Sequence, residues 1–175
     1  MATRNYEGKK FETSTTNKIV DALTVEEALQ ININNKPFTV SMRTPGNDNS
    51  LVRGLLHSEG IINDPKFIPE IVLKKENEDG IVTIVNVSIP EDKLGTGYSN
   101  SRSLLSVSSC GICGKTELGD LAFIGKTIDD TEKIDLELLN SLFTKMNALQ
   151  HNFKRSGGTH AAAAFTLEGE LLCSM

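Results

Sequence analysis

The sequence predicts a mixed α/β protein, α+β or α/β, that is built in two parts. Short runs before residue 90 alternate apolar and polar residues, which is the period of half-buried strands. A longer stripe of apolar residues at helical spacing follows residue 135. A Gly/Ser-rich linker over 91–130 separates them. We therefore expect a small N-terminal β-rich subdomain with one helix over 23–90 and the start of a second α/β domain over 131–175.

The first predicted strands form a hairpin. Leu29, Ile31 and Ile33 alternate with polar residues, as in a strand with one buried face. Asn34–Pro37 is rich in turn-forming residues, and Phe38–Arg43 resumes the β pattern. The pattern favours two strands joined by a short turn.

A helix and a second hairpin are predicted next. Asp48 is a candidate cap for a short helix that ends at Gly60. One apolar stripe lies along that helix, formed by Leu51, Val52, Leu55 and Leu56. Phe67–Leu73 and Ile81–Ile89 follow as strands, and the acidic segment Glu76–Gly80 forms the turn between them.

The C-terminal part is predicted to be one long helix followed by strands. Asp135 is a plausible N-cap, and Gly157 suits the left-handed end of the helix. Its apolar face comprises Leu138, Leu139, Leu142, Phe143, Met146, Leu149 and Phe153. His160–Thr166 and Glu170–Cys173 have the composition of strands. Because the chain stops on an apolar strand, we expect the second domain to be incomplete at its C-terminus.

Composition excludes several functional classes. The 175 residues carry a net charge of −5, which disfavours a nucleic-acid partner or an anionic membrane. No apolar run approaches the ~20 residues of a membrane span. Residues 1–22 are polar and are expected to form a flexible N-terminal tail. The sequence thus indicates a soluble, cytoplasmic protein.

The strongest chemical signal is a C-x-x-C pair, Cys110 and Cys113. Gly111 and Gly114 each follow a cysteine, which leaves the backbone free to bend and the sulfurs accessible. Lys115 favours the thiolate, the nucleophilic form of the side chain. These neighbours indicate reactive rather than structural cysteines.

Three other classes of site use similar patterns. Cys110 and Cys113 could supply half of a structural zinc site, with His160 and Cys173 completing it, but the second pair lacks the usual short spacing. A thioredoxin-like motif would lie near the start of a βαβ unit, whereas this pair follows a hairpin block. Gly114–Thr116 matches only the end of a phosphate-binding loop. No resident metal is predicted.

Four motifs occur along the chain in a fixed order: Arg43–Asp48, Leu51–Ile62, Ser109–Lys115 and Gly157–Ala162. In this order and spacing they resemble the FdhD family of formate dehydrogenase accessory sulfurtransferases. The resemblance runs from about Glu27 to the end of the chain. Two features depart from the family pattern: a later Arg-Glu-Asp-Val-Gly-Arg-His type segment is absent, and Ser156 replaces a more usual threonine.

The resemblance implies a function and its partners. Such proteins accept sulfur from a cysteine desulfurase as a persulfide and pass it to the molybdenum bis-guanine-dinucleotide cofactor of formate dehydrogenase. It assigns the persulfide to Cys110 and a relay or resolving role to Cys113. It also implies a homodimer. The alternative is a non-catalytic chaperone that binds the cofactor through its guanine nucleotides.

The resemblance further implies a cytidine-deaminase-like three-layer α/β/α core. His160 lies where deaminases have their H-x-E motif, but Ala162 replaces the glutamate, so deamination is not expected. The pocket is instead expected to hold the nucleotide ends of the cofactor, with GDP as a surrogate ligand. The predicted cofactor-binding residues are Arg43, Thr44, Gly157, Gly158 and His160.

Overall fold

The computed structural model describes residues 2–100 and 132–175, and these fall into two compact units. Within the described residues, unit 1 comprises 26–100, and unit 2 comprises 2–25 with 132–175. The predicted mixed α/β class is confirmed. The deaminase-like layer order and the domain boundary near residue 131 stay predictions. In the described part of the chain, no helix is long and apolar enough to cross a membrane.

Unit 1 is built on a four-stranded sheet. Its strands are β3 (Glu27–Ile33), β4 (Lys36–Arg43), β5 (Glu70–Glu76) and β6 (Val82–Ser88). Their order in the sheet is β4-β3-β6-β5, with β3 antiparallel to β4 and parallel to β6, which in turn is antiparallel to β5. The predicted hairpins therefore both form and share one sheet.

The turn between β3 and β4 consists of two asparagines. Asn34 and Asn35 have φ values of 50° and 65°, the left-handed conformation that a two-residue hairpin turn requires. The Asn34 side chain also pairs with both backbone groups of Ile89, at 2.8 and 2.9 Å. Asn34 and Asn35 thus form the turn, and Asn34 also hydrogen-bonds to the residue that follows β6.

The core of unit 1 lies between this sheet and helix α1 (Asp48–Ser58). Val52 and Leu56 of α1 are fully buried, as the predicted stripe requires. Gly60 follows the helix with φ 64°, so it provides the predicted left-handed end. The other buried core residues are Leu29, Ile31, Ile33, Ile61, Ile62, Val85, Val87 and Ile89.

Two details of unit 1 differ from expectation. Asn47, not Asp48, is the N-cap of α1, and Asp48 is its first helical residue. The strand predicted from Phe67 begins at Glu70 as β5. Pro69 directly precedes it and lacks the amide hydrogen that a strand ladder needs.

The sequence predicts an irregular linker over the segment 91–100, but the segment is structured and forms part of unit 1. It contains a 3₁₀ turn, Glu91–Lys93, and helix α2, Thr96–Asn100. The rings of Tyr98 and Phe38 stack with their centroids 6.2 Å apart. The prediction of an irregular linker was wrong here. Leu94 and Tyr98 pack against the core of unit 1, but they are too far apart in the sequence to form a periodic pattern. The rest of the predicted linker lies outside the described residues.

The N-terminus of unit 2 is a hairpin, which corrects the predicted flexible tail. Strands β1 (Thr3–Glu12) and β2 (Thr15–Thr24) pair in register over their whole length. The predicted boundary at residues 22/23 therefore falls inside β2. The sequence is polar, but its threonines and its Tyr, Phe, Val and Ile residues favour strands. These residues are polar because both faces of the hairpin are exposed, not because the segment lacks structure.

The remainder of unit 2 contains two helices and a short hairpin. The predicted long helix is interrupted at Gln150, where the sequence has neither glycine nor proline. Asp135 caps the first helix as predicted, accepting a 3.0 Å bond from the amide of Glu137. The first strand is shorter than predicted, so that His160 precedes it, whereas the second has the predicted length and is shifted by one residue. The elements are α3 (Leu136–Leu149), α4 (His151–Ser156), β7 (Ala163–Phe165) and β8 (Leu171–Ser174).

Candidate functional site

The Arg43 guanidinium is buried at the end of β4, where it joins three parts of unit 1. Its Nε donates to Oδ1 of Asp48 at 2.8 Å, which is also the ion-pair distance. Its two terminal nitrogens donate to the carbonyl oxygens of Glu27 and Val82, at 3.1 and 2.6 Å. Only 7% of the residue is exposed. Arg43 therefore holds the first turn of α1 against the start of β3 and of β6.

This geometry bears on the prediction that Arg43 binds the cofactor, whose nucleotide ends carry phosphates that suit a guanidinium. Three of its five N–H groups are already used within unit 1. An arginine that ends an apolar strand needs a partner, and here the partner is the Asp48 carboxylate. Thr44 lies next to it and is half-buried. Binding of a phosphate by Arg43 or Thr44 stays a prediction.

The predicted residues of unit 2 lie on one loop after α4. Gly157 has φ 65° and donates its N–H to the carbonyl of Phe153 at 2.7 Å, which ends the helix. His160 follows with an exposed side chain. The exposed backbone and imidazole would be accessible to a ligand.

Ser156 fixes the start of this loop through its hydroxyl group. The Ser156 hydroxyl donates to the carbonyl of Asn152 at 2.8 Å. Its oxygen is therefore an acceptor for the Thr24 hydroxyl at 2.7 Å and for the Gly158 amide at 3.3 Å. A threonine hydroxyl at position 156 could make the same bonds, so the departure from the usual family residue preserves the contact.

Cys110 and Cys113 lie outside the described residues, so no geometry is assigned to the C-x-x-C pair. The third cysteine, Cys173, is a free and exposed thiol on β8. Within residues 2–100 and 132–175, no group of three or more metal-ligating side chains is close enough to hold a metal ion. The zinc alternative depends on Cys110 and Cys113 and stays open.

An open depression of about 380 Å³ lies in unit 1, where β5 starts and β6 ends. The exposed side chain of Ile68 contributes to its apolar wall, and Glu70 supplies a carboxylate. None of the predicted site residues lines it. The lining residues are Asn34, Phe67, Ile68, Glu70, Ser88, Ile89 and Pro90.

Sequence reasoning missed the residues that hold these segments in place. Asp48 was interpreted as a helix cap, although its position five residues after Arg43 across a turn suits an ion pair. Thr24 was placed outside any site, and no sequence signal links it to Ser156, 132 positions away. The charge spacing could have indicated the first contact, but only the tertiary structure reveals the second.

The comparison with family models decides the family. A model described as the FdhD/NarQ family matches residues 24–175. The chain belongs to the FdhD/NarQ family. The resemblance predicted from the four motifs is thereby confirmed, and the match includes β3 to β8 and the C-x-x-C pair.

Curated members of the FdhD/NarQ family are similar over most of this chain. A protein named sulfur carrier protein FdhD from Streptomyces avermitilis is 40% identical over 158 residues, covering 87% of this chain and 56% of its own. The protein of the same name from Sulfolobus acidocaldarius is 37% identical, covering 87% of this chain and 54% of its own. The chain thus spans slightly more than half the length of the curated relatives it matches.

A solved structure has a similar fold. It is the crystal structure of a protein assigned as a formate dehydrogenase accessory protein from Desulfotalea psychrophila. The TM-score is 0.63 at 13% identity, and the match covers 99% of this chain but 61% of that chain. At this identity the likeness concerns the fold alone.

Proposed function

We propose that this chain is a cytoplasmic sulfurtransferase that carries sulfur as a cysteine persulfide. The donor is a cysteine desulfurase, and the acceptor is the molybdenum bis-guanine-dinucleotide cofactor of formate dehydrogenase. The supporting observation is the pair Cys110 and Cys113 inside the region that the FdhD/NarQ model matches. The name sulfur carrier protein, borne by relatives at 30–40% identity, supports the same reaction.

Loading places the sulfur on Cys110. The Cys110 thiolate attacks the terminal sulfur of the desulfurase persulfide. A new S–S bond forms on Cys110 while the S–S bond on the desulfurase breaks, and the desulfurase cysteine leaves as a thiolate. The step is redox-neutral because one S–S bond replaces another. Lys115, two residues after Cys113, favours the thiolate that this attack needs.

Delivery uses Cys113 as the resolving thiol. Its thiolate attacks the inner sulfur of the Cys110 persulfide, forms a disulfide and releases hydrosulfide to the molybdenum centre. The S–S bond between Cys110 and the outer sulfur breaks as the Cys110–Cys113 bond forms, and the outer sulfur leaves with the bonding electron pair as hydrosulfide, so the step balances. A dithiol reductant then restores both cysteines.

Intact-mass spectrometry tests the carrier. The chain is incubated with a cysteine desulfurase and cysteine, then treated with dithiothreitol. We expect a gain of one sulfur, about 32 Da, that dithiothreitol removes, in the native chain and in Cys173→Ala, whose lost thiol lies outside the C-x-x-C pair. In both, Cys113 then converts the persulfide to a disulfide that is about 2 Da lighter than the reduced chain. Cys110→Ala should show no gain, and Cys113→Ala should load without releasing hydrosulfide.

Two results would count against this assignment. Full loading of Cys110→Ala would remove Cys110 as the carrier. Folded protein with free thiols and no gain of mass in any variant would favour the alternative, a cofactor-binding chaperone without sulfur transfer.

The nucleotide ends of the cofactor are proposed to bind the loop at Gly157, Gly158 and His160. The exposed imidazole beside a glycine pair leaves room for a guanine nucleotide to approach the backbone. With GDP as the probe in calorimetry, His160→Ala should bind about tenfold more weakly, or ~1.4 kcal/mol. The control is His151→Ala, which removes an exposed histidine that lies on α4 rather than on this loop. Equal GDP affinity in both variants would contradict this role of His160.

A further inference from the structure

The helix α4 leads directly into the loop that is proposed to bind the nucleotide ends of the cofactor. It has six residues, His151–Ser156, and a helix this short is not stable by itself in water. Its position therefore depends on what it packs against. In the described part of unit 2, α4 packs on β2 and on β1. The N-terminal hairpin thus determines where α4 ends and where the loop begins.

Thr24, the last residue of β2, makes a polar contact with the end of α4. Its hydroxyl donates to Oγ of Ser156 at 2.7 Å, and Ser156 donates in turn to the carbonyl of Asn152. Ser156 Oγ also accepts from the amide of Gly158 at 3.3 Å. The one hydrogen and both lone pairs of the Ser156 hydroxyl are then in use. A series of hydrogen bonds therefore runs from the strand, through the end of the helix, to the loop.

The backbone pairing of the hairpin holds the Thr24 hydroxyl in place. Thr24 lies opposite Thr3 in the ladder, and Thr3 is only 4% exposed. The amide of Val25 extends the pairing by donating to the carbonyl of Ala2 at 2.9 Å. A Cβ at position 158 would lie 3.5 Å from Oγ1 of Thr24, so the same hydroxyl also lies directly behind Gly158. Thr24 is thus a fixed point against which the loop rests.

We propose that Thr24 is a positioning residue for ligand binding by the loop at Gly157, Gly158 and His160, and that it acts through Ser156. This role rests on the proposed function, in which the loop binds a guanine nucleotide. A loop that is already held in its binding arrangement loses less conformational freedom when the ligand arrives. The N-terminal hairpin thereby contributes to ligand affinity without supplying a group to the ligand.

Calorimetry with GDP as the probe tests this role. Thr24→Val keeps the shape of the side chain but removes its hydroxyl, and it should weaken GDP binding about fivefold, as expected for one neutral hydrogen bond. Thr24→Ser keeps the hydroxyl and should bind GDP as the native chain does. Thr16→Val removes an exposed hydroxyl from the same face of β2 and is the control. Far-UV circular dichroism selects a temperature at which every variant is folded.

A double-mutant cycle tests whether Thr24 acts through Ser156. Ser156→Ala removes the same contact from the other side and should weaken GDP binding by about fivefold or more. In the chain that carries Ser156→Ala, adding Thr24→Val should change the GDP affinity by less than about twofold, because the contact is already absent.

The outcomes distinguish failure of this role from failure of the proposed function. Weaker GDP binding by His160→Ala, with native affinity in Thr24→Val, would reject the role of Thr24 and retain the binding loop. Equal weakening in Thr24→Val and Thr24→Ser would also reject it, because the hydroxyl would not be the cause. A full effect of Thr24→Val in the chain that carries Ser156→Ala would reject the route through Ser156. A native chain that binds no GDP would reject the nucleotide site itself, and the positioning role with it.

Discussion

The partners of Arg43 in the folded chain determine its structural role. An arginine at the end of an apolar strand needs a partner, and a guanidinium binds both phosphates and carboxylates. In unit 1 the partner is Asp48, and two backbone carbonyls complete the set. Burial makes these bonds costly to lose, because the partners would be left unpaired in the protein interior.

Replacing Arg43 with methionine should destabilise unit 1 strongly. The change leaves the Asp48 carboxylate without its ion pair, and removal of one partner of a buried pair costs about 3–5 kcal/mol. Urea unfolding measures the loss. Arg53→Met is the control, since Arg53 makes one exposed 3.3 Å bond to Pro65 and should change stability by less than about 0.5 kcal/mol. Similar small losses in both variants would mean that water reaches Asp48 freely.

At the scale of whole elements, two glycines allow the start of α2 to pack closely against the segment that follows α1. Gly95 and Gly97, at the start of α2, lie against the backbone at Glu59 and Gly60, which follow α1. Two backbone bonds join the segments, from Gly95 to Ile61 at 2.7 Å and from Gly97 to Gly60 at 3.2 Å. A side chain at either glycine would separate them. Here glycine is required by close approach rather than by an unusual φ.

Gly97→Ala and Gly54→Ala should have opposite effects on stability. A Cβ at position 97 would overlap the backbone of Glu59 and Gly60, and overpacking of this kind costs about 1–3 kcal/mol. A Cβ at position 54, in the middle of α1, meets nothing within 4 Å, and alanine there should stabilise the helix by about 0.5–1 kcal/mol. Urea midpoints compare the two. A loss of stability in Gly54→Ala would contradict this explanation.

At the scale of the whole molecule, the two units differ in how their residues are distributed along the chain. The described part of unit 1 is continuous in sequence, and its sheet, helix and α2 enclose one apolar cluster. Unit 2 combines the N-terminal hairpin with the C-terminal elements, and α4 packs on β2. The hydroxyls of Thr24 and Ser156 link those two ends. Among the described residues, the large buried apolar side chains all belong to unit 1.

The family, the fold class and most of the elements of unit 1 could be predicted from the sequence. Apolar spacing within a short window predicted α1 and the strands, because burial of one face leaves a local period in the sequence. Asp135 and Gly157 marked helix ends because capping is also a local effect. The C-x-x-C pair and its neighbours likewise indicated thiol chemistry from adjacent residues alone.

The tertiary structure alone decided the contacts between distant residues. The N-terminal hairpin escaped prediction because its strands are exposed on both faces and carry little apolar alternation. The joining of that hairpin to α4, the burial of Arg43 and the close approach of Gly97 to α1 depend on residues far apart in the chain. The same holds for α3: the sequence predicts an amphipathic helix, but only the packed structure reveals that Leu136 and Phe143 are exposed.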